Sequence, residues 1–160
     1  MAASPVPDAD PVDAILQVMD AAFDPAFGEA WNRRQVSDAL LLGTCRHRLI
    51  TPSGRLADHL AGDAAGFYLA RGVLDEEELL LLAVAPEFRR RGLGALLLDD
   101  FLQSCRRRGA RRAFLEMRRG NPAAALYEKN RFRSVGSRPG YYRGNDGTLH
   151  DALSLEHIFG

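Results

Sequence analysis

Apolar residues recur at helical spacing from Asp10 to Phe23, where Val12, Ile15, Leu16, Met19 and Phe23 share one face. Asp10-Pro11 supplies a cap and a first-turn proline for that helix. Asp24 to Trp31 reads as a loop, Gln35 to Leu42 as a second short helix ending at Gly43, and Arg46 to Thr51 as a strand closed by the turn Pro52-Ser53-Gly54. Ala64 to Val73 predicts the next strand, interrupted by glycines, and Asp75 to Glu78 an acidic turn. Leu79 to Val84 is an apolar run of strand length, expected to be central and buried on both faces. Pro86 to Gly94 is a basic, glycine-containing loop. It leads into an amphipathic helix, Ala95 to Arg108, with Leu96, Leu97, Phe101, Leu102 and Cys105 inward and Gly109 as its stop. Ala113 to Met117 predicts a strand. Asn121-Pro122 predicts a helix start, with Asn as N-cap and Pro at the first position, and the helix runs through Tyr127. Phe132 to Ser137 and Ala152 to His157 return as strands. This alternation predicts an α/β fold of the mixed-sheet, α+β kind: one domain over residues 1–160, with a central mixed β-sheet flanked by helices.

Composition narrows the class. A chain of 160 residues that is 46% hydrophobic and 26% charged suits one globular core, which sets aside disordered and collagen-like chains. The formal net charge is zero, yet Arg89 to Arg119 holds ten arginines against Asp99, Asp100 and Glu116. The first forty residues hold seven acids against Arg33 and Arg34. A neutral chain with one basic segment implies a local anionic ligand. No aromatic residues interleave the run Arg89-Arg90-Arg91, so direct nucleic-acid binding is not expected. Cys45 and Cys105 have no CxxC spacing, and the four histidines are scattered, so neither a disulfide framework nor a metal is expected. Met1 to Pro11 has no basic patch before an apolar run, and no run approaches the roughly 20 apolar residues that cross a bilayer, so a cytoplasmic location without membrane contact is expected.

The stretch Leu79 to Phe101 carries the first chemistry. A buried strand feeds a loop containing Arg89, Arg90, Arg91, Gly92 and Gly94, and a helix follows directly. Glycines let backbone approach a ligand, the first amides of a helix lack intrahelical partners, and the helix dipole favours an anion there. Arginine adds donors suited to phosphate oxygens. A Walker loop is excluded because there is no Lys, and a dinucleotide fingerprint because no third glycine follows Gly94 at the right distance.

The second stretch runs from Leu115 to Phe132. Glu116 points away from the face shared by Leu115 and Met117, and Tyr127 follows on the next helix. A carboxylate can take a proton and a phenol can give one, the two transfers that acylation of an amine by a thioester requires. A bulge beside Val84 would add a backbone amide for the developing oxyanion. Taken singly, each residue also has a plain reading: a solvated glutamate and a packed tyrosine with its hydroxyl outside.

The pattern R-x-x-G-x-G (Arg89, Gly92, Gly94) between strand and helix resembles the acetyl-CoA motif of the GNAT acetyltransferases. The resemblance implies that acetyl-CoA is the co-substrate, with Leu82, Ala83 and Val84 pairing the pantetheine amides. Arg89, Arg90, Arg91, Gly92, Leu93, Gly94 and Ala95 would hold the pyrophosphate. VLDEEELLLLAV, LEMR, NPAAALYE and RPGYY with a later DAL, within Val73 to Leu155, resemble the ribosomal-protein-alanine N-acetyltransferase (RimI) branch. That likeness implies Glu116 as base, Tyr127 as acid, Asn121 as a cofactor contact, and Trp31, Tyr141 and Tyr142 at the acceptor. The acceptor would be a protein N-terminal amine, a ribosomal protein among the candidates. Three departures stand out: Ala30 precedes Trp31 where the branch has proline, the loop between Glu116 and Tyr127 is one residue shorter, and Asn130-Arg131-Phe132 replaces LGF, with Asn130 expected to take the left-handed position. A small-amine acetyltransferase (aminoglycoside or polyamine), favoured by an acidic cleft drawn from Asp8 to Asp38, and a non-catalytic acyl-CoA sensor stay as alternatives.

Overall fold

The computed structural model describes residues 10–160. The reading of Met1 to Pro11 therefore lies, up to residue 9, outside the described residues, as does Asp8. Along the chain come α1 (Pro11–Ala22), α2 (Arg33–Leu41), β1 (Cys45–Ile50), β2 (Leu56–Ala57), β3 (Gly66–Val73), β4 (Glu76–Val84), α3 (Leu93–Arg107), β5 (Arg112–Arg118), α4 (Ala124–Lys129), β6 (Arg133–Arg143) and β7 (Leu149–Ile158). Short 3₁₀ turns cover Pro25–Phe27 and Pro86–Phe88. The seven strands form one mixed sheet in the order β2-β1-β3-β4-β5-β7-β6. Of these neighbours only β4 and β5 are parallel, and α3 is the crossover a parallel pair requires.

Capping sets the helix limits. The Asp10 carboxylate accepts from the Val12 amide at 2.9 Å and begins α1. Asn32 and Gln35 form a reciprocal capping box, so α2 begins at Arg33, two residues before the expected start. Gly92, at φ 76°, is the N-cap of α3, which therefore begins at Leu93 rather than Ala95. The buried face of α3 is Leu93, Leu97, Leu98, Phe101, Leu102 and Cys105, whereas Leu96 is turned outward and 44% exposed. Asn121 does not cap α4. Its Oδ1 accepts from the Ala123 amide at 2.9 Å, closing a turn through Pro122, and the helix begins at Ala124.

The expected acidic turn is a strand start. The β3–β4 connection is only Leu74-Asp75, and Glu76, Glu77 and Glu78 belong to β4 because arginines on neighbouring elements take their charges. Glu76 pairs with Arg112, Glu78 with Arg71, and buried Glu77 with both Arg46 and Arg108 at 2.8 Å. A buried carboxylate needs such partners, and two guanidiniums, one from β1 and one from the residue that ends α3, supply them.

The sheet separates two apolar layers. One joins α3 to Tyr68, Leu79 and Leu115; the other joins α1 and α2 to Phe67, Leu69, Leu81 and Ala83. Leu79 and Leu81 thus lie on opposite faces although they are two residues apart. The cause is a bulge: Leu69 pairs with Leu81 and Ala70 with Leu79, leaving Leu80 as the extra residue. The bulge lies at Leu80 rather than beside Val84. It also explains why one uninterrupted apolar run serves both layers.

At the end of α4, Phe132 N–H bonds to Tyr127 O and Arg131 N–H to Glu128 O, both at 3.0 Å. This is a Schellman closure, and its left-handed position falls on Arg131 (φ 64°), one residue after Asn130 (φ −101°). A non-glycine residue there costs about 1 kcal/mol. Arg131→Gly is expected to raise the melting temperature by about 2–4 °C, checked by thermal denaturation.

Candidate active site

The bulge decides the geometry of the site. β4 and β5 pair from Glu76↔Arg112 to Leu79↔Leu115 and then part, while β4 runs on to Val84 and β5 to Arg118. Beyond the parting, β4 stays bonded to β3, and β5 to β7. The sheet therefore opens as a V, and the edge of β4 from Leu80 to Val84 faces no strand among the described residues. A cleft of ≈ 640 Å³ lies at the open end, between β4, the start of α3 and α4. A narrower cleft of ≈ 130 Å³ approaches along Leu80, Leu82, Glu116 and Tyr142. The two share Phe23, Glu29, Leu82, Asn121 and Tyr127.

The larger cleft is built for an anion. Its walls include Leu82, Ala83 and Val84, and its floor includes Arg90, Gly92, Leu93, Gly94 and Ala95. The first bond at this end of α3 is Leu96 N–H to Gly92 O, so the amides of Leu93, Gly94 and Ala95 have no carbonyl one turn earlier in the helix. Arg90 stands at φ 65°, an uncommon conformation for a side-chain-bearing residue. Arg89 also borders the cleft, but its guanidinium donates to Val84 O (3.1 Å) and Ala22 O (3.2 Å), stapling β4 to α1. Arg91 does not line the cleft and lies over the Phe88 ring at 5.5 Å.

Glu116 and Tyr127 reach the narrow cleft from β5 and α4. Glu116 forms an ion pair with Arg138 Nε at 2.8 Å, and Arg138 in turn lies over the Tyr141 ring. Tyr127 packs edge-on against Phe132 and is buried. That burial, with a smaller contribution from the Glu29 charge, pushes its phenol pKa far above the ordinary value, so the hydroxyl keeps its proton. Trp31, Tyr141 and Tyr142 line the same cleft, the two tyrosines edge-to-face at 4.9 Å. Burial raises both tyrosine hydroxyls, assisted by Glu116 at Tyr141 and by Glu29 at Tyr142.

Sequence reasoning missed Glu29 and Arg118. Glu29 lies in the expected loop, and its carboxylate bonds to Arg118 Nε at 3.0 Å and Asn121 Nδ2 at 3.1 Å. Arg118 rests 3.8 Å above the centre of the Phe27 ring. No local pattern marks Glu29 among the neighbouring acids; its position two residues before Trp31 was the available signal. Three acids line the narrow cleft and each has an arginine: Glu29 with Arg118, Glu78 with Arg71, Glu116 with Arg138. Among the described residues no cluster of metal-ligating side chains occurs, and no helix is long and apolar enough to cross a membrane.

The sequence model described as the acetyltransferase (GNAT) family matches residues 15–132. The chain belongs to the GNAT family. A relative from Escherichia coli (strain K12), named [ribosomal protein bS18]-alanine N-acetyltransferase, is 40% identical over 95 residues, 59% of this chain. The match spans 64% of that relative's length, just under two thirds. A Bacillus subtilis relative with the same name, prefixed "putative" in its description, is 31% identical across 81% of this chain and 80% of its own. The crystal structure of the Escherichia coli ribosomal-protein-S18-alanine N-acetyltransferase superposes with TM-score 0.76 at 28% identity, covering 95% of this chain and 91% of that one. Ard1 from Thermoplasma volcanium shares the fold, with TM-score 0.72 at 23% identity and 96% coverage of both.

In this GNAT chain the segment between α1 and α2 is seated on the β6–β7 hairpin. Asn145 N–H donates to Pro25 O at 3.1 Å, and Phe27 meets His150 edge-on. Gly28 sits at φ 68°, and a Cβ there would stand 1.9 Å from Arg143 O. Gly28→Ala is therefore expected to destabilise the protein by about 2 kcal/mol or more. Denaturant unfolding should show a lowered midpoint; an unchanged midpoint would mean the seat is not held in solution.

Proposed function

We propose that this single domain transfers the acetyl group of acetyl-CoA to the N-terminal α-amine of a protein. The observation that carries the reading is the meeting of the cleft at the start of α3 with a narrow cleft that Glu116 and Tyr127 line. Acetyl-CoA supplies a thioester whose carbonyl is open to attack. Leu82, Ala83 and Val84 offer an unpaired strand edge to its amide-bearing arm. The amides of Leu93, Gly94 and Ala95, with Arg90, receive its pyrophosphate. Arg89 and Arg91 are assigned lesser parts, as a staple and at the outer surface.

The acceptor arrives as an ammonium and must lose a proton before it attacks. Glu116 is assigned that proton; the entering cation competes with Arg138 for the same carboxylate. Tyr127 is assigned the proton delivered to the departing sulfur, and its buried, protonated hydroxyl suits the part. The β4 edge after the Leu80 bulge is where backbone N–H groups can meet the oxygen that turns negative. Trp31, Tyr141 and Tyr142 form the acceptor walls, and Asn121 stands between the clefts.

The charge pairing separates this reading from a small polycationic acceptor. A polyamine or aminoglycoside calls for surplus negative charge, whereas each acid of the narrow cleft already has its arginine. Of the acids from the first forty residues, Asp13 and Asp38 are paired with Arg33 and Arg34 and lie outside the cleft. The bS18-alanine acetyltransferase names of the relatives support a protein N-terminus led by a small residue as the acceptor. The presence of both Glu116 and Tyr127 on the narrow cleft supports turnover over a sensor that only binds.

Free-thiol release from acetyl-CoA with a panel of N-terminally varied peptides, polyamines and aminoglycosides tests the proposal. Release with alanine-led peptides is expected. Release only with small amines would overturn the acceptor assignment. Tyr127→Phe is expected to lower kcat about 10- to 1000-fold. Glu116→Gln that keeps full turnover with an unchanged pH profile would sink the base assignment.

A further inference from the structure

Glu29 lies outside the motifs that resemble the ribosomal-protein-alanine branch, which begin at Val73. The fold nevertheless places it where the two clefts meet. Its side chain is only 11% exposed, and both carboxylate oxygens are engaged, one by Arg118 and one by Asn121. Two bonds to different oxygens fix both the position and the plane of the group.

Each bond leads back to the reacting groups. Arg118 is two residues from Glu116 on β5, so the two side chains share a face of the strand. Asn121 uses its remaining oxygen to accept from Ala123 N–H, and Ala123 O accepts from Tyr127 N–H at 3.2 Å. A continuous series of hydrogen bonds thus runs from Glu29 through the Asn121 amide and the Ala123 backbone to the residue that carries the phenol. α4 has six residues and no side-chain cap on its own N-cap position, so its start depends on the Asn121 turn. Glu29 is held in turn by the seating of Pro25–Phe27 on the β6–β7 hairpin.

We propose that Glu29 is a positioning residue for Tyr127: by holding Asn121 it fixes the turn from which α4 begins, and so where the phenol hydroxyl stands between the clefts. This rests on the assignment of Tyr127 as proton donor.

The test is a double-mutant cycle on thiol release with an alanine-led peptide, using wild type, Glu29→Gln, Tyr127→Phe and the double variant. Glu29→Gln is expected to lower kcat about 10-fold while KM for acetyl-CoA stays within about twofold. In the Tyr127→Phe background the same change is expected to cost no more than about twofold, because the hydroxyl it positions is gone. An equal loss in both backgrounds would overturn the proposal, since Glu29 would then act independently of Tyr127. A rise in peptide KM at unchanged kcat would also overturn it and make Glu29 an acceptor contact. Should Glu29→Gln fail to fold, Asn121→Ser cuts the same series while keeping an oxygen for Ala123 N–H, and the same cycle is read. Absence of thiol release by the wild type would overturn the proposed function and this role with it. That failure is distinguishable because it is seen before any substitution is made.

Discussion

The parting of β4 from β5 is the constraint on which the rest of the molecule depends. A parallel pair normally continues until one strand ends, but here an extra residue at Leu80 turns the strand before the pairing is complete. The second half of β4 then gives Leu81 and Ala83 to the α1–α2 layer, while Leu82 and Val84 look toward α3. One residue too many thus produces two results: a strand that serves both cores, and a length of backbone whose hydrogen-bonding groups are available to something other than protein. The helix that crosses between the two strands begins at that opening, so its unpaired amides lie beside the free edge.

Charge is arranged with equal economy around the opening. The chain is neutral as a whole, and the three acids of the narrow cleft are each matched by an arginine, while the start of α3 has backbone amides and Arg90. The result is a molecule with an anion-seeking end and a balanced narrow end. Where surplus charge is absent, recognition depends on shape and directed hydrogen bonds rather than on long-range attraction.

Much of this was legible in the chain itself. The 3.6-residue spacing of α1, the glycines around α3 and the apolar run of β4 marked the elements, and the order of loop, helix and LEMR marked the site. The failures have physical causes. Glu76 and Glu77 read as part of a turn because their arginine partners, Arg112, Arg46 and Arg108, are more than thirty residues away in sequence, and Arg71, the partner of Glu78, meets it only once the hairpin has formed. Leu80 carries no local mark of a bulge, since a run of leucines fits either face. Asn121 looked like a helix cap because its side chain does cap, but caps a turn. Glu29 had only its nearness to Trp31 to mark it, because its contacts are to Arg118 and Asn121, 89 and 92 positions away.

The seating of the α1–α2 segment on the β6–β7 hairpin also bears on the order in which the molecule is made. Gly28 and Gly144 let backbone from distant parts of the sequence approach so closely that a Cβ on either would lie about 2 Å from a carbonyl oxygen, that of Arg143 or of Ala26. His150 reaches the carbonyl of Ala26, 124 residues away. On a ribosome, α1 and its following loop emerge before the hairpin and wait for it. Until then the narrow cleft lacks a wall, and Glu29 has no seat to hold it. The narrow cleft is therefore completed only when the hairpin closes on a loop made long before it, as the 124-residue span from Ala26 to His150 shows.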